Sequence, residues 1–294
     1  MKLPIVVGTD LTEGSDDALR QAEARATRDR VPLTVVHAMS PLLWSALSDR
    51  EHVEHLQSLI RQQFTALTGR LESEYEVLVE RGLAHTVLAR LAVAQQALLV
   101  VGTHMHHGLG HALLRDVTER VLERARSPVL VTRPSSGSKR VLVAVDQPFG
   151  KSAALDAAID EALSSDAKLT AVHTVNTGFM HTLVTDIVNG GAYADHPLGL
   201  RARVLEARQA LRAELQRRRV DADIYVMEGE GAALIPRVAA RVGAELVVVG
   251  TAHRHGHPPS ITSAVLRHAP CSVLVIDEGS ALLSVRSSLQ AAQG

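Results

Sequence analysis

The sequence predicts two tandem α/β domains, each built around a doubly wound parallel sheet. The chain has 294 residues, a length that suits two domains of ordinary size. A short apolar segment that ends in aspartate occurs twice, as Ile5–Asp10 and as Val141–Asp146. The apolar segments are continuous and do not alternate, which is typical of parallel strands covered by helices on both faces. Length, repetition and pattern therefore indicate the same fold class.

The internal repeat continues through both halves of the chain. After the aspartate of each copy, three further apolar segments recur in the same order. A repeat of this length indicates that one structural unit occurs twice. The second copy has a longer middle and a shorter loop after its fourth strand, and loops tolerate such changes. The matched segments are Leu33–His37 with Leu169–His173, Leu98–Thr103 with Leu246–Thr251, and Val129–Val131 with Val273–Val275.

Helical patterns separate the predicted strands of each copy. Over Ser15–Arg30 the helical spacing places Ala18, Leu19, Ala22 and Ala26 on one face. Strands that alternate with helices imply right-handed crossovers and a doubly wound sheet. A second helix is predicted over Thr86–Gln96, with Val87, Leu88, Leu91, Ala92 and Gln95 on one side.

Turn-forming residues mark the join between the two copies. Proline, serine and glycine follow the fifth strand of the first copy and are typical of a linker. We therefore expect a first domain over 1–134, a linker over 135–139 and a second domain over 140–278. The remaining tail, 279–294, has only a weak apolar period and is expected to be a terminal helix or disordered.

Composition and charge argue against several classes of function. The formal net charge is −1 and aromatic residues make up 2% of the chain, so neither electrostatic attraction nor base stacking favours nucleic acid as a partner. The single cysteine, Cys271, excludes an internal disulfide and a cysteine-based zinc cage, and we expect it to be buried. No apolar run reaches the roughly 18 residues of a membrane span, and Met1–Asp10 is not a secretory signal. A cytoplasmic protein without a membrane partner is expected.

The carboxyl ends of the strands are the predicted ligand site. In an open α/β sheet, ligands bind where the strand order reverses. Three features of each copy are expected to meet there: the aspartate after the first strand, the residue after the second-strand histidine, and the glycine of the fourth strand. These residues are Asp10, Ala38 and Gly102 in the first copy, and Asp146, Thr174 and Gly250 in the second.

The strand-end aspartates and the second-strand histidines also have a purely structural interpretation. Aspartate favours turns and helix caps, so Asp10 and Asp146 could simply close the loop after the first strand. The repetition at the switch point favours a ligand role as well. For His37 and His173 the structural interpretation is preferred, because a histidine inside a buried strand is usually a hydrogen-bonded core residue.

Apart from its tail, the chain resembles the universal stress protein family. The resemblance is carried by the strand-end aspartate, the Leu-x-Val-Val-His strand, the Val-Val-Gly-Thr strand, and the segments Val117–Val121 and Leu266–Cys271. It implies flavodoxin-like or Rossmann-like domains with five-stranded parallel sheets of order 3-2-1-4-5. It also implies a role in the stress response and pairing of the two domains through their fifth strands. Many members bind ATP through a loop of the form Gly-x2-Gly-x9-Gly-Ser/Thr.

Both copies depart from that ATP-binding pattern. The first glycine is present in each copy, but side chains replace the later glycines and would obstruct the approach of backbone amides to phosphate. Arg115 could partly compensate as a phosphate ligand. ATP is therefore expected to bind more readily in the second domain than in the first, with at most weak ATPase activity. After Gly102 the first copy has Met105, Arg115 and Asp116, and after Gly250 the second has His253, Pro259 and Ser260.

The resemblance and the strand-end argument together give one set of candidate nucleotide-binding residues. They are Gly8, Thr9, Asp10, Ala38, Gly102, Arg115, Ala144, Val145, Asp146, Thr174, Gly250 and Ser260.

The loops after the two fourth strands are rich in histidine, which is a frequent ligand of transition metals. Divalent metal is therefore a second candidate ligand. The alternative is a solvated polar loop, since neither loop has the fixed spacing of a structural zinc site. The candidate metal ligands are His104, His106 and His107 in the first copy and His253, His255 and His257 in the second, with His111 nearby.

These arguments lead to one expectation and one alternative. The sequence carries neither a Walker motif nor a nucleophile elbow, so a conventional enzyme is not expected. We expect a universal stress protein that binds a small molecule or a protein partner, with its two domains packed as an intramolecular pseudo-dimer. A further homodimer stays open. The alternative is an interaction or metal-binding module that has lost nucleotide binding.

Overall fold

A computed structural model describes residues 2–42, 44, 50–71, 74–103, 117–146, 149–175, 197–251 and 260–279. The first repeat contains β1 (Ile5–Gly8), α1 (Asp16–Asp29), β2 (Leu33–Met39), α2 (Arg50–Thr68), β3 (Glu76–Arg81), α3 (Ala84–Ala94), β4 (Leu98–Gly102), α4 (Val117–Arg124) and β5 (Val129–Thr132). The second contains β6 (Arg140–Ala144), α5 (Ala153–Ser165), β7 (Lys168–Val175), α6 (Pro197–Arg217), β8 (Ala222–Glu228), α7 (Gly231–Val242), β9 (Leu246–Thr251), α8 (Ser260–His268) and β10 (Ser272–Asp277).

The chain forms two compact units whose limits differ from those of the sequence repeats. The first unit contains the described residues up to Ser136 together with Thr251 and residues 271–279. The second contains the described residues of 137–250 and 260–270. The last strand of the second repeat, β10, therefore belongs to the first compact unit.

The sheet of the first unit has the strand order β3-β2-β1-β4-β5-β10. Strands β1 to β5 run parallel, and β10 pairs with β5 in the antiparallel direction. The expected pairing of the two fifth strands is thus confirmed, with Val131 opposite Val273 and Leu130 opposite Leu274.

In the second unit the parallel order is β9-β6-β7-β8. The α/β class with two doubly wound, mainly parallel repeats is confirmed.

Helices cover the strands in the way that the sequence pattern predicts. In the first unit α1 packs against α2, and α3 packs against α4. The four residues predicted to share a face of α1 are all fully buried: Ala18, Leu19, Ala22 and Ala26. The helix ends at Arg30, whose left-handed backbone (φ 55°) lets its N–H bond the carbonyl of Ala26.

Helix α3 also confirms its predicted buried face, with one exception. Val87, Leu88, Leu91 and Ala92 are buried, whereas Gln95 is partly exposed. Gln95 follows the last residue of the helix, Ala94, and its Oε1 accepts from the hydroxyl of the buried Thr34 on β2 at 3.4 Å, so it lies on the predicted side.

The strand interiors form the cores of the two units. Burying one such aliphatic side chain stabilises the fold by about 1.5–3 kcal/mol. The expected burial of Cys271 is confirmed. Among the described helices, none has both the length and the apolar character needed to cross a membrane. Fully buried strand residues include Val6, Val7, Val35, Leu99 and Leu130 in the first unit and Leu142, Val143, Ala171, Val247 and Val248 in the second.

Candidate functional site

The carboxyl ends of the parallel strands bring the sequence-predicted residues together in the first unit. The register places Gly8 beside Val36 at the ends of β1 and β2. One residue further, the backbone N–H of Thr9 donates to the carbonyl of Val36 at 2.9 Å, which extends the pairing beyond β1. This edge is where the strand order reverses, since β2 and β4 lie on opposite sides of β1.

The two second-strand histidines are locked by the same hydrogen bond in both units. His37 donates from Nδ1 to the carbonyl of Thr9 at 2.9 Å, and His173 donates from Nδ1 to the carbonyl of Val145 at 2.8 Å. Because a carbonyl only accepts, Nδ1 carries the hydrogen in both rings. The interpretation of these histidines as hydrogen-bonded strand residues is confirmed.

The aspartate after β1 lies in a tightly bonded turn and is exposed. Its Oδ1 accepts from the backbone N–H of Thr12 at 3.0 Å and from the Thr12 hydroxyl at 2.8 Å. Thr12 in turn accepts from the N–H of Gly14 at 3.3 Å and so caps the following 3₁₀ turn. Asp10 therefore shapes the loop, as its structural interpretation predicts, while its carboxylate remains open to solvent.

A partly buried polar cluster adjoins this turn, with Thr9 and Ser15 as its buried members. The hydroxyl of Thr9 contacts the Ser15 hydroxyl at 3.0 Å, donates to Gln63 Oε1 at 3.1 Å, and accepts from the N–H of Leu11 at 3.0 Å. From α2, Gln63 also donates through Nε2 to Asp16 Oδ1 at 2.9 Å. One glutamine thus ties the end of β1 to the start of α1.

One residue of the same turn has a strained backbone. Leu11 has a φ of 63°, in the left-handed region that non-glycine residues rarely adopt. Such a conformation costs on the order of 1–2 kcal/mol and persists only where surrounding contacts impose it. Here the bond from its N–H to the Thr9 hydroxyl holds it in place. Strained residues of this kind cluster at functional sites.

Gly102 has a packing role at this edge. A Cβ at this position would collide with the carbonyl oxygen of Gly14, so the end of β4 can approach the 3₁₀ turn only as glycine. The next residue, Thr103, donates its hydroxyl to the carbonyl of Thr132 at 3.1 Å. The glycine that the sequence assigns to a phosphate loop is thus required by the fold itself.

The corresponding loop of the second unit has a different chemistry. Val145 replaces Thr9 and is buried, although its N–H makes the equivalent bond to the carbonyl of Val172 at 2.9 Å. Phe149 is also buried and packs edge-on against the ring of His173, with centroids 5.0 Å apart. Asp146 is exposed, like its counterpart Asp10. The two units therefore share an exposed aspartate but differ in what lies beneath it.

Charged residues of α6 flank the loop in the second unit. A Cβ on Gly150 would lie 3.1 Å from Arg217 Nη2 and 3.6 Å from Glu214 Oε2. Glu214 is buried and accepts hydrogen bonds from both Arg217 and Arg218. Burial lowers the pKa of the Arg218 guanidinium. The long helix before β8 thus meets this loop through an ion-pair cluster, whereas the long helix before β3 meets its loop through an amide.

Thr174 and α7 are matched to one another. A Cβ at Gly231, the first residue of α7, would lie 2.9 Å from the Thr174 hydroxyl oxygen. The first repeat has alanine at both equivalent positions, Ala38 and Ala84. At this strand end a larger side chain on the strand is accommodated by a smaller residue on the helix. In β9, Gly250 accepts from the hydroxyl of Thr262 at 3.4 Å, as Gly102 does from Thr118.

Several predicted site residues lie outside the described residues. These include Arg115 and all six candidate metal ligands, His104, His106, His107, His253, His255 and His257, together with Met105, His111, Asp116 and Pro259. Ser260 begins α8, but its side chain is not described. Within the described ranges there is no cluster of three or more histidine, cysteine or carboxylate side chains that could hold a metal ion.

The sequence reasoning missed Gln63, and the pattern of α2 held a signal for it. Ile60 and Phe64 are the fully buried residues of this helix. Gln63 lies three residues after Ile60 and next to Phe64, so it is a polar residue on the edge of an apolar face. A polar residue in that position needs a hydrogen-bond partner inside the fold.

The comparisons with known proteins agree with this architecture. The universal stress protein family model matches residues 1–133 and again 137–277. The chain therefore belongs to the universal stress protein family, in a form with two repeats. Within that family it is similar to a Mycobacterium bovis universal stress protein, at 34% identity over 45% of this chain and 46% of that protein. A Mycolicibacterium smegmatis universal stress protein is 26% identical over 58% of this chain and 63% of the relative. These curated relatives are thus matched over about half to two thirds of their length.

Solved structures share the fold over nearly the whole chain. A universal stress protein from Archaeoglobus fulgidus has a TM-score of 0.65 at 17% identity, covering 94% of this chain and 97% of that one. A Pseudomonas aeruginosa protein of unknown function has the same TM-score at 21% identity, covering 98% and 97%. At these identities the likeness concerns the fold alone.

Proposed function

We propose that this chain is a cytoplasmic stress-response protein that binds a nucleotide such as ATP at the carboxyl edge of its sheet. The observation that carries the proposal is the exposed Asp10 carboxylate, held in place by two hydrogen bonds from Thr12. A carboxylate that is already oriented can accept hydrogen bonds from ribose hydroxyls or from a base without a large ordering cost. The strained backbone of Leu11 beside it supports the same proposal.

Asp146 extends the proposal to the second repeat. It is exposed at the equivalent strand end, above the apolar Val145 and Phe149. The expectation that the second repeat binds ATP better depends on residues 104–116 and 252–259, which lie outside the described residues. We propose that the ligand is a small molecule and that the two repeats act together as a pair within one chain.

Calorimetric titration of the full chain with ATP tests the proposal. Asp10→Ala and Asp146→Ala should each weaken one binding event about tenfold or more, because a hydrogen bond to a charged group contributes about 1.5–3 kcal/mol. Asp17→Ala, in the first turn of α1, and Asp221→Ala, just before β8, remove carboxylates that do not follow the first strand of a repeat. These matched controls should leave binding unchanged. Tight ATP binding that survives Asp10→Ala and Asp146→Ala together would overturn the proposed site.

A histidine-based metal site is the second candidate function. The observation that favours it is the clustering of six histidines in two short windows, His104–His107 and His253–His257, together with His111. Metal titration of a chain with His104, His106 and His107 changed to alanine, and of one with His253, His255 and His257 changed to alanine, tests it. Metal uptake equal to that of the wild type in both would exclude this candidate.

A further inference from the structure

The strand ladder that joins β10 to β5 cannot by itself select its partner. The paired residues are Val129, Leu130 and Val131 on β5, and the sequence of β10 at the pairing positions is again Val-Leu-Val. All six side chains are buried. A second copy of β5 would therefore form the same antiparallel ladder with the same side chains, and any preference must come from flanking residues.

A hydrogen-bond cluster flanks one end of this ladder. The backbone N–H of Arg133 donates to the Ser272 hydroxyl at 3.0 Å, and Arg133 Nη1 donates to the carbonyl of Cys271 at 3.1 Å. Gln21, on α1, donates from Nε2 to the carbonyl of Arg133 at 2.7 Å, and its Oε1 accepts from the Ser272 hydroxyl at 3.0 Å. Ser272 is buried, so its bonds are shielded from water.

The equivalent residues of the other repeat could not form this cluster. In the first repeat, Pro128 stands where the second has Ser272, and proline has neither a hydroxyl nor a backbone N–H. In the second repeat, Asp277 stands in the place of Arg133, and Ala157 in the place of Gln21. In a pair of two β10 strands, the Asp277 carboxylate would face the carbonyl of Cys271. The two groups would repel each other, because both only accept hydrogen bonds.

We propose that Gln21, Arg133 and Ser272 form a polar latch that makes the β5 edge selective for the β10 strand of its own chain. Without the latch, the edge of β5 that β10 covers would pair with β5 of a second copy as well as it pairs with β10. Edge strands with a bare apolar ladder are prone to such pairing, and specificity commonly requires a cost against the wrong partner. Pairing with β10 makes the two bonds of the Ser272 hydroxyl, from the Arg133 N–H and to Gln21 Oε1. In a β5–β5 pair Pro128 would take the place of Ser272, and both bonds would be lost.

Hydrogen exchange in the full chain tests the attractive part of the latch. Ser272→Ala should speed amide exchange in β10 about tenfold relative to the wild type, because the bonds from Arg133 and to Gln21 are lost together. Gln21→Ala should give a smaller increase. In free energy, the effect of the double variant should be smaller than the sum of the two single effects, because the two residues share one hydrogen bond. Ser127→Ala is the matched control, since it removes a buried hydroxyl that has no partner among the described residues. Exchange in Ser272→Ala equal to that in Ser127→Ala would overturn the proposal.

Cysteine cross-linking tests the selectivity itself. Leu130 lies opposite Leu274, its own equivalent, so Leu130 would face a second Leu130 in a pair of like strands. In full-length chains with Cys271→Ala, Leu130→Cys reports such pairing as a disulfide-linked dimer under oxidation. Adding Gln21→Ala and Ser272→Ala should raise the dimer yield at least tenfold, and adding Ser127→Ala should not. Equal dimer yields in all three chains would contradict the proposal. If the cysteine at the buried position 130 impairs folding, the hydrogen-exchange measurement tests the proposal instead.

Discussion

A single glutamine from a distant part of the chain holds the loop at the candidate nucleotide site. Gln63 bonds Thr9 and Asp16, which lie on either side of the turn that contains Asp10. Because the contact to Thr9 spans 54 residues of sequence, it fixes the turn against the body of α2 and not merely against its neighbours. The turn that carries the Asp10 carboxylate is therefore held on both sides by one residue of α2.

Replacing Gln63 with alanine should loosen this loop. The change leaves the Thr9 hydroxyl without one of its partners, and we expect the free energy of unfolding to fall by about 1–2 kcal/mol. ATP affinity should fall with it, since the Asp10 turn is then less well ordered. Gln62→Ala, on the exposed side of the same helix, is the control and should change the free energy of unfolding by less than about 0.5 kcal/mol. Urea unfolding and ATP titration of both variants measure the effects. An equal response of the two variants would show that Gln63 does not hold the loop.

At the residue scale the sequence located the strand ends but not their supports. Asp10 could be placed because it follows a strongly apolar strand. The predicted end of β2 at His37 is two residues too early, because Ala38 and Met39 still pair with β3. The sequence identified Gly102 as a site residue but not its packing role. That role depends on the carbonyl of Gly14, which comes from a different loop and which a side chain at position 102 would strike. Gln63 could not be assigned a role, because the sequence does not specify which turn a helix side chain reaches.

At the scale of elements, the packing of α3 on α4 contains a buried histidine. His85 lies in the first turn of α3 and is 6% exposed. Burial is the main cause that lowers the pKa of His85, and the guanidinium groups of Arg124 and Arg120 on α4 lower it further, while Glu123 opposes them. The neutral ring is therefore favoured in the folded state.

This buried histidine should make the stability of the first unit sensitive to acid. In the unfolded chain His85 takes up a proton near its ordinary pKa of about 6.5, before the folded state does. Stability contributed by the neutral ring is thus complete above that pH and decreases as the pH falls below it. In urea unfolding at pH 7.5 and 5.5, His85→Gln should lose less stability than the wild type, whereas His52→Gln, on the exposed surface of α2, should match the wild type. Identical pH dependence in all three proteins would contradict this account.

The sequence predicted helix and strand type well and boundaries less well. Alanine spacing was sufficient for α1, because small buried residues at helical intervals have few other interpretations. Helix α3 begins at Ala84, two residues before its predicted start at Thr86. The last residue with an extended backbone is Leu83, which is the N-cap of the helix. Gln95 lies on the predicted side although the helix ends at Ala94, because its own backbone is still in the right-handed helical region.

At the scale of the whole molecule, repetition was the decisive signal and also the source of what the sequence could not resolve. Two copies of one pattern predicted two α/β repeats. The segments Val129–Val131 and Val273–Val275 have the same sequence, so either strand fits either sheet edge. The sequence therefore does not predict which compact unit contains β10. In the part of the chain that the structure describes, the contacts of Ser272 with Gln21 and Arg133 distinguish the two, and they join residues more than a hundred positions apart.

Native mass spectrometry of the full chain, purified without added ligand, tests the central claim most directly. The account predicts a population that carries a nucleotide mass, reduced when Asp10 and Asp146 are both changed to alanine and unchanged in the Asp17→Ala and Asp221→Ala controls. A chain that carries only metal ions, lost when the clustered histidines are replaced, would contradict nucleotide binding in favour of the metal-binding alternative. A bare chain mass that stays bare when ATP is added at millimolar concentration would contradict the claim outright.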